Sequence, residues 1–231
     1  MNVARLNRWD VDYRQAAALQ ARLARRVRQA PPLRHARVVA AADVSGGRAA
    51  QWLAAVVVVM DLETFTVLET RRARARADMP YVPGYLSFRE APVVLQAFRR
   101  VRTPVDLVLC DGQGRAHPRR LGLASHVGLA LGVPTVGCAK SRLVGRPTRE
   151  PGLRRGSRAP LLDAGERIGT VLRTRTGVKP LFVSVGHRID LASAERWVLA
   201  AAPRFRLPEP SRQAHRLVTD YKREIVARGS P

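Results

Sequence analysis

The sequence predicts one α/β domain in which β-hairpins come first and parallel crossover units follow. Three observations point there. Three β-rich runs between residues 38 and 69 are separated by turns short enough for antiparallel hairpins. Two short apolar strands, 105–110 and 134–138, bracket a helical stretch at 121–131, the arrangement of a βαβ unit with parallel pairing. No internal repeat, heptad or linker divides the 231 residues, a length that suits a single domain with a substantial core.

Each element has its own local reason. A helix is expected over 12–29, where Ala16, Leu19, Leu23 and Val27 recur at helical spacing, Asp12 can cap the start and Pro31-Pro32 end it. Strands follow at 38–44, 53–60 and 64–69, separated by Ser45-Gly46-Gly47 and Asp61-Leu62-Glu63. The arginine-rich patch at 71–76 and the Pro/Gly stretch at 80–84 read as one long loop. Pro92 is suited to the first turn of a helix running to about Arg100. After the βαβ unit, 146–158 reads as a surface loop, and 167–173 and 181–185 as a strand pair around Thr176-Gly177. Helices at 192–199 and 212–227 close the chain, the second entered from Pro208-Glu209-Pro210.

Charge sets the partner class. Lys and Arg number 41 against 18 Asp and Glu, a formal net charge of +23 that favours polyanions, nucleic acid first and an anionic membrane second. Only Lys140, Lys179 and Lys222 are lysines, so a lysine in a functional position stands out. Cys110 and Cys138 lie in apolar runs and make no disulfide framework. The first residues hold no apolar leader, and the longest apolar stretches fall short of the ~18–20 residues a spanning helix needs, so a cytoplasmic protein is expected. The N-terminal helix has an alanine-rich stripe without aromatic anchors, which argues against a membrane surface. There is no Gly-x-Ser-x-Gly elbow, Walker loop, zinc spacing or His-Glu-x-x-His run.

Three carboxylates stand where burial is expensive. Asp43 lies inside an apolar run, Asp111 follows the strand ending at Cys110, and Glu90 precedes the Pro92 helix. A salt bridge with one of the many arginines explains any one of them. Together, without Cys or multiple His partners, they suit a hard cation such as Mg²⁺ or Mn²⁺. In Asp111-Gly112-Gln113-Gly114 the dinucleotide fingerprint fails, because His117 stands at the third glycine position; a metal ligand, a flexible loop and Arg119 fit a phosphodiester better. Lys140 ends the second parallel strand at the same sheet edge as Asp111, where it can neutralise a phosphate or assist a water nucleophile. His117 and His215 can be proton carriers, outer metal partners or structural histidines. Pro80-Tyr81-Val82-Pro83-Gly84 is a stiff loop presenting an aromatic, either a wedge for a duplex or a packed tyrosine.

These residues resemble the endonuclease V family. The resemblance is carried by Ala42-Asp43-Val44-Ser45, by the stretch from Pro80 through Phe88-Arg89-Glu90, and by 111–122. It continues through Gly137-Cys138-Ala139-Lys140-Ser141-Arg142-Leu143, Ser184-Val185-Gly186-His187 and the stretch from Leu207 to His215, in order from about residue 37 to 217. It implies a ribonuclease H-like mixed sheet flanked by helices, in which the strand of Asp43 pairs in parallel with that of Asp111. It also implies Asp43, Glu90 and Asp111 around Mg²⁺, with Mn²⁺ a substitute, Lys140 near the attacking water and His215 as an outer partner of a second ion. The loop Pro80–Gly84, Gly112, Gly114, Arg89 and Arg119 are placed on the substrate side, with Tyr81 in the wedge. The implied activity is repair of DNA containing deoxyinosine, and of other deaminated bases as a wider range, by hydrolysis of the second phosphodiester 3′ to the lesion, leaving 3′-hydroxyl and 5′-phosphate. The alternatives are an endonuclease for inosine-containing RNA and a nucleic-acid-binding protein that does not cut. No stable protein partner is implied.

Overall fold

The computed structural model describes residues 1–46 and 50–227. One nine-stranded mixed sheet runs through it in the order β3-β2-β1-β4-β5-β9-β8-β7-β6. The strands are β1 (Val38–Ser45), β2 (Trp52–Asp61), β3 (Thr66–Arg76), β4 (Leu107–Cys110), β5 (Thr135–Ala139), β6 (Arg146–Pro147), β7 (Arg158–Asp163), β8 (Glu166–Leu172) and β9 (Leu181–His187). The helices are α1 (Tyr13–Ala24), α2 (Leu86–Arg99), α3 (Leu123–Leu131), α4 (Leu191–Ala201) and α5 (Glu209–Ala227). β1, β2 and β3 form antiparallel hairpins, whereas β1, β4 and β5 run parallel, with α3 as the crossover between the last two.

Side chains alternate across each strand, and the two faces take different helices. Ala40, Ala42, Val57 and Val59 pack against α2 and α3 through Val94, Phe98 and Val127. Val39, Ala41, Leu107 and Leu109 pack on the other face with Ala194 and Val198 of α4, and Ala54, Val56 and Val58 with Ala214 and Val218 of α5. The result is a three-layer α/β arrangement, as the hairpin and crossover pattern predicts.

Four expectations are corrected. The first helix ends at Ala24, not near 29; its start is the predicted one, with Asp12 and Gln15 forming a capping box. Beyond the helix the chain is taken up by tertiary bonds, since Arg28 N–H donates to His187 Nδ1 at 3.3 Å and Arg188 N–H to the Arg28 carbonyl at 2.7 Å. The patch 71–76 is strand, because buried Ala73 faces the α2 layer while Arg72 pairs with Glu224 at 2.8 Å and the Arg74 guanidinium lies 4.4 Å from the Trp52 ring centroid. Pro92 sits inside α2, not in its first turn, because the 82–85 turn already launches the helix at Leu86. Glu90 is therefore a helical residue. The loop 146–158 contains β6, and β7 is a further strand, joined to β8 by Ala164 and Gly165 at φ 50° and 81°, the left-handed pair of a tight hairpin. Gly47, in the expected 45–47 turn, lies outside the described residues.

Candidate active site

Register and pleat bring the acids together. Ala42 lies opposite Cys110, and Cys110 opposite Gly137, so β1, β4 and β5 end at one edge. Asp43 follows the face of Val39 and Ala41, Asp111 that of Leu107 and Leu109, and Lys140 that of Val136 and Cys138; all three stand on the α4/α5 side. Neighbouring strands lie about 4.8 Å apart, which sets Asp43 beside Asp111. Glu90 approaches the same edge from α2 in the opposite layer. Asp43, Glu90, Asp111, Lys140 and His215 line one pocket of about 410 Å³ together with Tyr81, Pro83, Gly84 and Gly112.

The polar contacts within it are specific. Lys140 Nζ donates to Asp111 Oδ2. His215 Nδ1 lies 2.7 Å from Asp43 Oδ2, and since an ionised carboxylate only accepts, that nitrogen carries the proton. Burial, and then Asp111, raise the Asp43 carboxyl above its usual range against the opposing pull of His215 and Lys140. Glu90 is pushed up to about 8 by burial and by the Asp43 and Asp111 charges. Two acids with raised pKa values beside a third define a pocket short of positive charge.

A divalent cation fits that deficit. The donors are carboxylate oxygens, the set a hard ion takes, while both cysteines are buried thiols, Cys110 pushed up to about 12. Among the described residues no three His, Cys, Asp or Glu side chains close into a finished ligand cage. Lys140 and His215 instead each hold one of the acids.

Other predicted residues are placed elsewhere. His117 is buried outside the pocket, pairing through Nε2 with the Gly84 carbonyl at 2.9 Å and accepting from Arg119 N–H at Nδ1 at 3.1 Å. Burial holds its imidazole down to about 4, so it braces the loop as a neutral side chain. Arg89 is buried and donates to the Met79 and Ala50 carbonyls, both at 2.7 Å. Arg119 donates to the Gly84 carbonyl at 3.0 Å and to Gln20 Oε1 at 2.5 Å. Gly114 lies outside the pocket lining, where a Cβ would meet the Val185 carbonyl oxygen at 2.1 Å; its role is close backbone approach. Pro80 and Val82 flank the lining residues without joining them.

Three contributors carried weaker signals. Gln113 lines the pocket and donates to the Ser141 carbonyl at 2.9 Å, tying the two strand-end loops together. Arg206 donates to the Lys140 and Pro180 carbonyls, both at 2.8 Å, fixing the backbone under the lysine. Gln20, fully buried on α1, donates to the Gly84 carbonyl at 2.9 Å. It occupies the apolar stripe between Ala16 and Leu23, and that polar residue at a core position was its signal.

Comparison with known proteins follows from this geometry. The family described as Endonuclease V matches residues 21–216. A relative from Myxococcus xanthus named Endonuclease V is 46% identical over 94% of this chain and 93% of its own length. The crystal structure of the Streptomyces avermitilis Endonuclease V superposes with a TM-score of 0.88 at 41% identity, covering 98% of this chain and all (100%) of that one. The catalytic domain of human Endonuclease V gives a TM-score of 0.85 at 31% identity, covering 93% and 97%.

Proposed function

Since the chain belongs to the endonuclease V family, we propose that it cuts DNA at deoxyinosine with Mg²⁺ held by Asp43, Asp111 and Glu90. The protein is a repair endonuclease. The finer statement, hydrolysis of the second phosphodiester 3′ to the lesion to leave 3′-hydroxyl and 5′-phosphate, is part of the proposal. So are a cytoplasmic location and the use of Mn²⁺ in place of Mg²⁺. The observation that carries the reading is the meeting of three acids, Lys140 and His215 in one pocket beside the Tyr81–Gly84 loop.

The residues divide the work by position. A divalent ion bound at the carboxylates supplies Lewis acidity and activates water at neutral pH. Asp43 and Asp111 present oxygens from adjacent strand ends, and Glu90 adds a third that ionises when positive charge enters. His215 fixes one Asp43 oxygen by donating to it, leaving the other free to ligate. Lys140, held by Asp111 and by the Arg206-braced backbone, places a compact positive charge where charge develops on the phosphate. The Pro80–Gly84 segment rests on Gly84, whose carbonyl accepts from Gln20, His117 and Arg119. Tyr81 is thereby offered at the pocket mouth as a wedge for the space left by an extruded base, and extrusion costs least at a mispaired one.

The test is nicking of an end-labelled duplex with one deoxyinosine, in Mg²⁺ and in EDTA. One Mg²⁺-dependent cut at the second bond 3′ to the lesion supports the proposal. Binding without cutting at any Mg²⁺ or Mn²⁺ concentration overturns it in favour of a recognition protein, and cutting confined to inosine RNA overturns the substrate.

A further inference from the structure

Two arginine pairs in this chain share a buried or half-buried acid. Arg115 and Arg120 share Glu166 at 2.5 and 2.6 Å, and Arg158 and Arg167 share Glu195 at 2.6 and 2.9 Å. The cluster beyond the end of α1 does not. Arg25, Arg26, Arg28 and Arg188 line a cavity of about 610 Å³ with His187, and no carboxylate is among the lining residues. Among the described residues none of the four has an ion-pair partner.

The cluster is held in place by the fold. The Arg28 N–H to His187 Nδ1 bond of 3.3 Å and the Arg188 N–H to Arg28 carbonyl bond of 2.7 Å join the chain after α1 to the end of β9. Arg188 keeps a left-handed backbone, φ 51°, a strained conformation for a bulky residue. Burial and then Arg188, Arg28 and Arg26 hold the His187 imidazole down to about 4, so the histidine beside the arginines is neutral.

His187 pairs with Thr135, the first residue of β5, so the cavity lies at the sheet edge away from Lys140. Five residues of strand span about 17 Å. Gln20 joins α1 to Gly84 of the pocket loop, and five residues further, about 7 Å of helical rise, is Arg25. The end of α1 thus leads from the lesion loop to the cavity.

We propose that this arginine cavity clamps backbone phosphates of a duplex arm extending from the lesion, outside the catalytic pocket. The proposal rests on the function proposed above, and it extends the bound site by about five base pairs at ~3.4 Å each. The shared chemistry is a phosphate group, and a free phosphate is the other source.

The experiment uses the full chain in EDTA, comparing wild type with the double variant Arg26→Gln/Arg28→Gln. Fluorescence anisotropy measures binding to deoxyinosine duplexes with two arms of about one helical turn, and with either arm, or both, cut to about three base pairs. The double variant should bind the long duplex about tenfold more weakly, with a log K against log salt slope shallower by about 2. The difference should vanish when the arm that reaches the cavity is shortened, and nicking in Mg²⁺ at saturating enzyme should be unchanged. Equal affinity and slope on every duplex would overturn the clamp, as would the same loss with both arms short. Thermal stabilisation of wild type but not the variant by inorganic pyrophosphate, with DNA binding unchanged, would overturn it in favour of a free-phosphate site. If wild type fails to nick deoxyinosine while the arm-dependent difference persists, the clamp stands and the proposed function fails.

Discussion

Gln20→Ala tests the link between the first helix and the lesion loop. The side chain is fully buried, and its amide donates to the Gly84 carbonyl at 2.9 Å and the Leu121 carbonyl at 3.3 Å while accepting from Arg119 Nε at 2.5 Å. Gly84 keeps two donors, His117 and Arg119, after the change. Leu121 and the Arg119 guanidinium each lose a partner, at about 1 kcal/mol apiece. The vacated amide volume adds about 1 kcal/mol through incomplete collapse. The sum is about 3 kcal/mol. For a domain of this size that lowers the melting temperature by about 6–12 °C. Urea or thermal unfolding measures that loss, and nicking kinetics below the variant's melting range measure the loop: KM for a deoxyinosine duplex should rise several-fold with kcat little changed. A melting temperature within about 1 °C of wild type, with unchanged KM, would refute the reasoning.

Three further outcomes follow from the same contacts. Glu90, with a pKa of about 8, is protonated at pH 7 in the metal-free protein, so Mg²⁺ binding should release close to one proton. Calorimetry in buffers of different ionisation enthalpy reads that release, and Glu90→Gln should abolish it; release by the variant equal to wild type would contradict the assignment. His117, His126 and His187 are held down to about 4, 3 and 4. Their contribution to stability is complete above pH ~6.5 and is lost as pH falls from there toward about 4, because the unfolded chain takes up protons first. Glu90 acts in the opposite sense, its contribution being lost as pH rises through about 8. The three histidines outnumber Glu90, so stability in EDTA should fall as pH drops from 7 to 5, read by urea titration at each pH; a flat profile from pH 7 to 5 would contradict it. Gly114→Ala should cost about 3 kcal/mol or more, since its Cβ would meet the Val185 carbonyl oxygen at 2.1 Å and backbone cannot yield; a wild-type urea midpoint would show the approach to be looser.

The edge that gathers the acids was legible because they break local rules. Asp43 interrupts an apolar strand and Asp111 terminates another, and a short βαβ unit necessarily puts Lys140 at the same edge as Asp111. Glu90 was recognisable as an acid out of place, although Pro92 pointed to a later helix start than the 82–85 turn imposes. The strand character of 71–76 was hidden by arginines, because edge strands tolerate charge on one face while alanines pack on the other. His117 and Arg89 looked chemical from their neighbours in sequence, yet both are spent on backbone carbonyls that shape the loop. No periodicity announces such long-range bonds, and the Arg28 to His187 junction behind the arginine cavity belongs to the same class.

The central claim is that the Asp43 and Asp111 carboxylates hold the ion that cuts. Asp43→Asn, nearly isosteric, tests it most directly through single-turnover nicking of a deoxyinosine duplex in Mg²⁺, with unfolding and EDTA-state binding measured alongside. The carboxyl of Asp43 is raised by burial and by Asp111, so its removal should not destabilise the fold. The account predicts a fall in nicking of at least about 10³-fold with wild-type DNA affinity and melting temperature. Nicking at the wild-type rate by this variant would contradict it.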